Sequence, residues 1–160
     1  MLSLPTTVGD GFAQWFKHLS ASTHALADVL SEEQFWTKPF SHGNSFGHLV
    51  LHLTGNLSYY IGAQIAMTGY TRDRPREFNE ANNPPKDEVL RRMDEAVDMV
   101  ISTIRAQTED DWSKEYSATG AEGAVNRFGM FLKCVMHFDH HVGQMIYIAR
   151  EITGDNDVSY

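Results

Sequence analysis

Apolar residues recur every three or four positions in four separate stretches of this chain, the spacing of amphipathic helices rather than strands. In the first stretch Val8, Phe12, Trp15/Phe16, Leu19, Leu26 and Leu30 mark one face and predict a helix over about residues 7–30. Residues 31–44, SEEQFWTKPFSHGN, break the rhythm with Pro39 and Gly43 and read as a connection that opens on a short helical turn. Asn44 or Ser45 then supplies an N-cap, and a second helix is expected to run to about Thr68, ahead of Gly69. From Gly69 to Pro85 the chain is rich in Pro, Asn and Arg and has no period, as expected of a long crossover loop. A third helix opens on Asn83-Pro84-Pro85 and continues through Leu90, Met93, Val97, Val100/Ile101 and Ile104, with Arg91, Asp94, Glu95 and Asp98 on its outer side. A Gly-containing connection over residues 108–124 leads to a fourth helix, about Val125 to Thr153, which Gly154 ends.

No alternating pattern survives, so the chain reads as all-α, and a four-helix bundle is the simplest architecture that buries four apolar stripes. Length and 42% hydrophobic content fit one domain over residues 1–160. The phrases Ser31-Glu32-Glu33 and Thr108-Glu109-Asp110 echo each other ahead of the second and fourth helices, through either duplication or shared capping chemistry. Trp15, Trp36 and Trp112 are expected to pack the core and the helix junctions.

Charge and composition then exclude several classes of function. Thirteen Lys and Arg face 21 Asp and Glu, and a net charge of -8 disfavours a nucleic-acid partner. Arg72, Arg74 and Arg76 lie scattered among acids, which reads as a solvated loop rather than a binding patch. No apolar run approaches the roughly 20 residues of a membrane-spanning helix, so no membrane partner is expected. The first residues lack the charged and apolar regions of a secretory signal, and Cys134 is the only cysteine, so a cytoplasmic protein without disulfides is expected. Any metal site must draw on nitrogen or oxygen ligands.

Such a site is suggested by the histidines. His137 and His141 stand at i and i+4, which brings both imidazoles to one helix face within reach of one ion. Eight histidines in a chain of this length give about 0.4 such pairs by chance, so spacing alone is not enough. The pair also aligns with Met130, Cys134, Met145, Ile148 and Ile152 on the inward stripe, whereas His140 points away with Lys133 and Glu151. Buried imidazoles need partners, and either a metal or core hydrogen-bond acceptors would serve. In the second helix His48 and His52 share a polar stripe with Ser45, Asn56 and Tyr59, beside the apolar stripe of Leu53, Leu57 and Ile61. His52, His137 and His141 around one divalent ion would leave a coordination position open for water or substrate, as in catalytic sites. Gln144, Asn56 and Tyr59 are candidates to orient the ligand rings or a substrate. Cys134 reads as a small buried hydrophobe.

At these residues the sequence resembles the DinB/YfiT-like superfamily of metal-binding helical proteins. Two phrases carry the resemblance, NSFGHLVLHLTGN at residues 44–56 and HFDHHVGQMI at residues 137–146. It implies a four-helix bundle in up-down-down-up order, with the long connection at Gly69–Pro85 as the crossover, and frequent homodimers. It implies His52, His137 and His141 as ligands of zinc or nickel, with Gly143-Gln144 matching the family's Gly-Gln. His48 departs from the pattern and is open to three roles: fourth ligand, second-shell acceptor or rim residue.

Three functions follow as expectations. The first is a metal-dependent enzyme acting on a small-molecule substrate, with the superfamily suggesting transfer of a low-molecular-weight thiol to an electrophile. The second is a metal-dependent hydrolase using bound water. The third is a non-enzymatic, metal-binding stress-response dimer, favoured to the extent that spacing places no general base other than histidine near the site. Glu-x-x-His is absent, which argues against a di-iron carboxylate centre. Neither a Ser-His-Asp hydrolase nor covalent haem is expected.

Overall fold

The computed structural model describes residues 3–79 and 83–159; residues 80–82 of the expected crossover, and residues 1, 2 and 160 of the expected domain, lie outside the described residues. Among the described residues seven α-helices follow in order: α1 Leu4–Asp28, α2 Glu32–Trp36, α3 Phe46–Leu57, α4 Arg76–Asn79, α5 Lys86–Arg105, α6 Glu109–Ser113 and α7 Arg127–Thr153. A π-helical turn, Ser58–Ala63, continues α3. The described residues contain no β-strand, only one isolated bridge between Glu115 and Asn126. The fold is all-helical.

Local chemistry sets the helix starts. The side chains of Ser3, Ser31, Ser45, Thr108 and Asn126 each accept a hydrogen bond from the backbone N–H three residues on, satisfying donors that the first turn leaves orphaned. The echoed phrases are reciprocal capping boxes, Ser31 with Gln34 and Thr108 with Asp111, and each opens a one-turn helix. Gly154 ends α7 in the left-handed conformation at φ 71°, where a side chain would be strained.

Each of α1 and α3 packs against both α5 and α7. The buried apolar residues form one cluster, fed by Phe16 and Leu26 of α1, Leu53 and Leu57 of α3, Met93 and Ile104 of α5, and Phe131 and Phe138 of α7. Phe12 of α1 stacks on Trp112 and meets Phe131 of α7, so the short helix α6 closes one end of the core.

Several expectations are corrected. The second helix stops being α-helical at Leu57, because the i→i+5 turn that follows takes in an extra residue and rotates everything after it. The third helix begins at Lys86, and Asn83 does not cap it; the Lys86 N–H is met instead by the Glu32 carboxylate at 3.0 Å. The crossover is not structureless, since it carries α4. Trp15 is not a core residue: it is 53% exposed on α1, while Trp112 is buried.

Candidate metal centre

His52 is presented by α3 and the other two imidazoles by α7, two helices that pack side by side. Nε2 of His137 lies 3.0 Å from Nε2 of His52 and 3.2 Å from Nε2 of His141. One ring nitrogen from each residue falls within 4.8 Å of the others, near enough together to hold one metal ion. For comparison, tetrahedral zinc with Zn–N bonds of about 2.0–2.1 Å sets neighbouring ligand nitrogens about 3.3 Å apart.

The outer nitrogens decide what the inner ones can do. Nδ1 of His52 lies 2.7 Å from Oε2 of Glu77, and a carboxylate only accepts, so the proton belongs on Nδ1. Nδ1 of His141 lies 2.7 Å from Oε1 of Gln144 and donates to it. Gln144 is oriented in turn by its amide nitrogen, 3.3 Å from Nε2 of the exposed His140. Neutral rings tautomerised in this way turn bare Nε2 lone pairs toward His137. Lone pairs crowded at 3.0–3.2 Å repel one another unless a proton or a cation lies between them.

A proton on Nε2 of neutral His137 bridges one of the two contacts and leaves the other, whereas a cation takes all three lone pairs. Burial, followed by the neighbouring His141 and His52, pushes the His137 pKa down to about 3. Burial likewise lowers that of His141 to about 4, against the opposing hydrogen bond to Gln144. At neutral pH these two rings are uncharged, the form a metal requires.

Glu77 and Arg72 escaped the sequence reading. Glu77, at the start of α4, is only 6% exposed. Burial would raise its pKa, but hydrogen bonds from His52 and Arg72 and the Arg72 charge outweigh that and hold it below its usual value. Arg72 grips the carboxylate with two nitrogens, Nε to Oε1 at 2.6 Å and Nη2 to Oε2 at 2.9 Å. Nη2 also lies 3.3 Å from Nδ1 of His52, a proximity of two donors that the shared carboxylate oxygen makes tolerable. The reading of this loop as merely solvated is therefore corrected for Arg72, and Glu77 is a carboxylate beside the histidines that spacing did not place there. A faint signal existed: Gly55, in mid-helix on α3, lets the Glu77 carboxylate lie where a side chain would collide with it.

The remaining candidates are placed as follows. Asn56 is buried with Oδ1 3.8 Å from Sγ of Cys134, and burial pushes that thiol up to about 12, so it stays protonated. Tyr59 is half-buried against Tyr60; it is Tyr60, moved round by the π-turn, that joins His52, Asn56 and His137 in lining a cavity beside the triad. His48 stands one turn before His52, with Nδ1 2.8 Å from Oγ of Ser45 and its ring against Trp36, outside the cluster of three. Gly43-Asn44-Ser45-Phe46-Gly47 has the spacing of a hydrolase nucleophile turn. Its Ser45, however, is fully buried and caps α3, and no strand leads into it among the described residues.

No helix among the described residues is long and apolar enough to cross a membrane. Comparison with curated proteins finds no match to this chain. A family model described as "Protein of unknown function (DUF1572)" matches residues 11–159, nearly the whole chain, which therefore belongs to the DUF1572 family.

Proposed function

We propose that this chain is a divalent-metal-dependent enzyme of the DinB/YfiT-like superfamily, with His52, His137 and His141 as ligands of zinc or nickel, and that it transfers a low-molecular-weight thiol to a small electrophile. The observation that carries the reading is the commitment of the outer nitrogens of His52 and His141 to Glu77 and Gln144, which leaves bare inner nitrogens converging on one point. When bound, the ion supplies a Lewis acid that makes a coordinated thiol or water nucleophilic near neutral pH. Glu77 and Gln144 hold the rings in register, and Arg72 keeps Glu77 ionised.

Thiol transfer is favoured over hydrolysis by the state of the one carboxylate bonded at the triad. Both oxygens of Glu77 are engaged, one by Arg72 and the other by Arg72 and His52, so it is not free to take a proton from water. A coordinated thiol is deprotonated outright, whereas coordinated water titrates at about pH 7 and gains more from a base. The same reading takes the helices in up-down-down-up order within one domain, supported by the long connection between α3 and α5. It takes the protein to be a cytoplasmic homodimer, supported by a free buried cysteine and by Phe128, Leu132 and Met136 exposed along one side of α7.

The test is made on cobalt-substituted protein. A low-molecular-weight thiol should change the visible spectrum and be consumed when a small electrophile is added. Hydrolysis of simple esters without thiol would favour the water-based alternative. If neither occurs and His52→Ala only lowers the melting temperature, the site serves stability alone.

A further inference from the structure

Beside the triad lies a cavity of about 190 Å³, lined by His52, Asn56 and His137 together with Arg72, Arg74 and Lys133. At a liquid share of about 30 Å³ per water it has room for about six waters, the scale of a small metabolite. Three cations line it and, among the described residues, no carboxylate does, in a chain whose net charge is -8. Arg72 is neutralised by Glu77. Arg74 and Lys133 are not: among the described residues neither has a carboxylate partner. The Arg74 guanidinium lies over the Phe78 ring at 5.4 Å, which occupies its face and leaves its edge N–H groups available. Lys133 donates from Nζ to the Gly120 carbonyl at 3.1 Å and the Glu122 carbonyl at 2.9 Å, so one of its three N–H donors remains.

Beyond the Phe78 ring under Arg74 and the 120 loop held by Lys133, these cations make no contact that serves the fold among the described residues, and they line the same cavity as His52 and His137. We propose that the cavity binds a small organic anion, its carboxylate held by Arg74 and Lys133 and its other end directed at the imidazoles of His52 and His137. As a statement of substrate class this rests on the metal-dependent reading above. The preference for negative charge does not, because it comes from the chain's own side chains. A cavity walled by protein strengthens charge-assisted hydrogen bonds relative to open water and selects against a neutral ligand of the same shape.

The experiment is calorimetric titration of the metal-free and the zinc-loaded protein with propionate and with propionamide, its neutral counterpart. Propionate should bind at least about tenfold more tightly than propionamide in both forms. Arg74→Gln and Lys133→Gln should each erase most of that difference while leaving propionamide unchanged. Arg74 is exposed on the crossover, so its variant keeps the test open if Lys133→Gln loosens the 120 loop. In the metal-free protein, equal affinities for the two ligands, or a preference that survives both substitutions, would overturn the proposal. Failure to take up zinc defeats the metal reading alone, because the metal-free titration still reports on the anion.

Discussion

A carboxylate as buried as Glu77 costs stability unless its oxygens are well bonded, and here three hydrogen bonds from two side chains meet it. That investment is hard to explain by folding alone, because an apolar residue would cover α3 as well. It makes sense if the Nδ1 proton of His52 has to be fixed. Glu77→Gln should therefore weaken zinc binding about 10- to 100-fold by competition titration, and Gly55→Ala should do the same by pushing the carboxylate away. Unchanged affinity in both variants would mean that His52 needs no such support. The sequence showed His52, His137 and His141 because spacing on a helix is local. It could not show Glu77 and Arg72, which are 25 and 20 residues beyond His52 and are brought back by a crossover without periodicity.

At the scale of elements, two helices carry the three histidines, and burial sets the charge of two of them. The inward stripe of α7 holds His137 and His141 at pKa values of about 3 and about 4, whereas unfolded imidazoles titrate near 6.5. The unfolded chain thus binds more protons in the interval between, and the metal-free protein should lose stability as the pH falls from about 6.5 toward 4. Above that range both states are neutral and the full stability is present. A urea midpoint lower at pH 5 than at pH 7 is expected, and a flat profile would show that the two rings are more open to water. Helix order, the caps at Ser31, Ser45 and Thr108, and the stop at Gly154 were legible because each depends on a few neighbouring residues. The π-turn was not, since a wheel drawn at 100° per residue assumes an unbroken α-helix and so favours Tyr59 over Tyr60. Trp15 was misplaced for a related reason: it sits at the border of the apolar stripe, where periodicity does not separate core from surface.

Across the whole molecule, charge and apolar surface are unevenly spread. An acidic chain concentrates cations at one cavity, and α7 shows water the side chains of Phe128, Leu132 and Met136 at successive turns. Phe12 of α1 meets Phe128 at 5.5 Å, so α1 borders this strip. A second copy covering this surface would give twice the chain mass in sedimentation, and Leu132→Glu should return it to one. A single-chain mass in the unsubstituted protein would contradict the dimer. The three-histidine centre is reached most directly by X-ray absorption at the zinc edge of protein loaded with one equivalent of metal. Three imidazole nitrogens at about 2.0–2.1 Å are expected, falling to two in His137→Ala. A spectrum of zinc surrounded only by oxygen, or one that His137→Ala leaves unchanged, would contradict a metal held between α3 and α7.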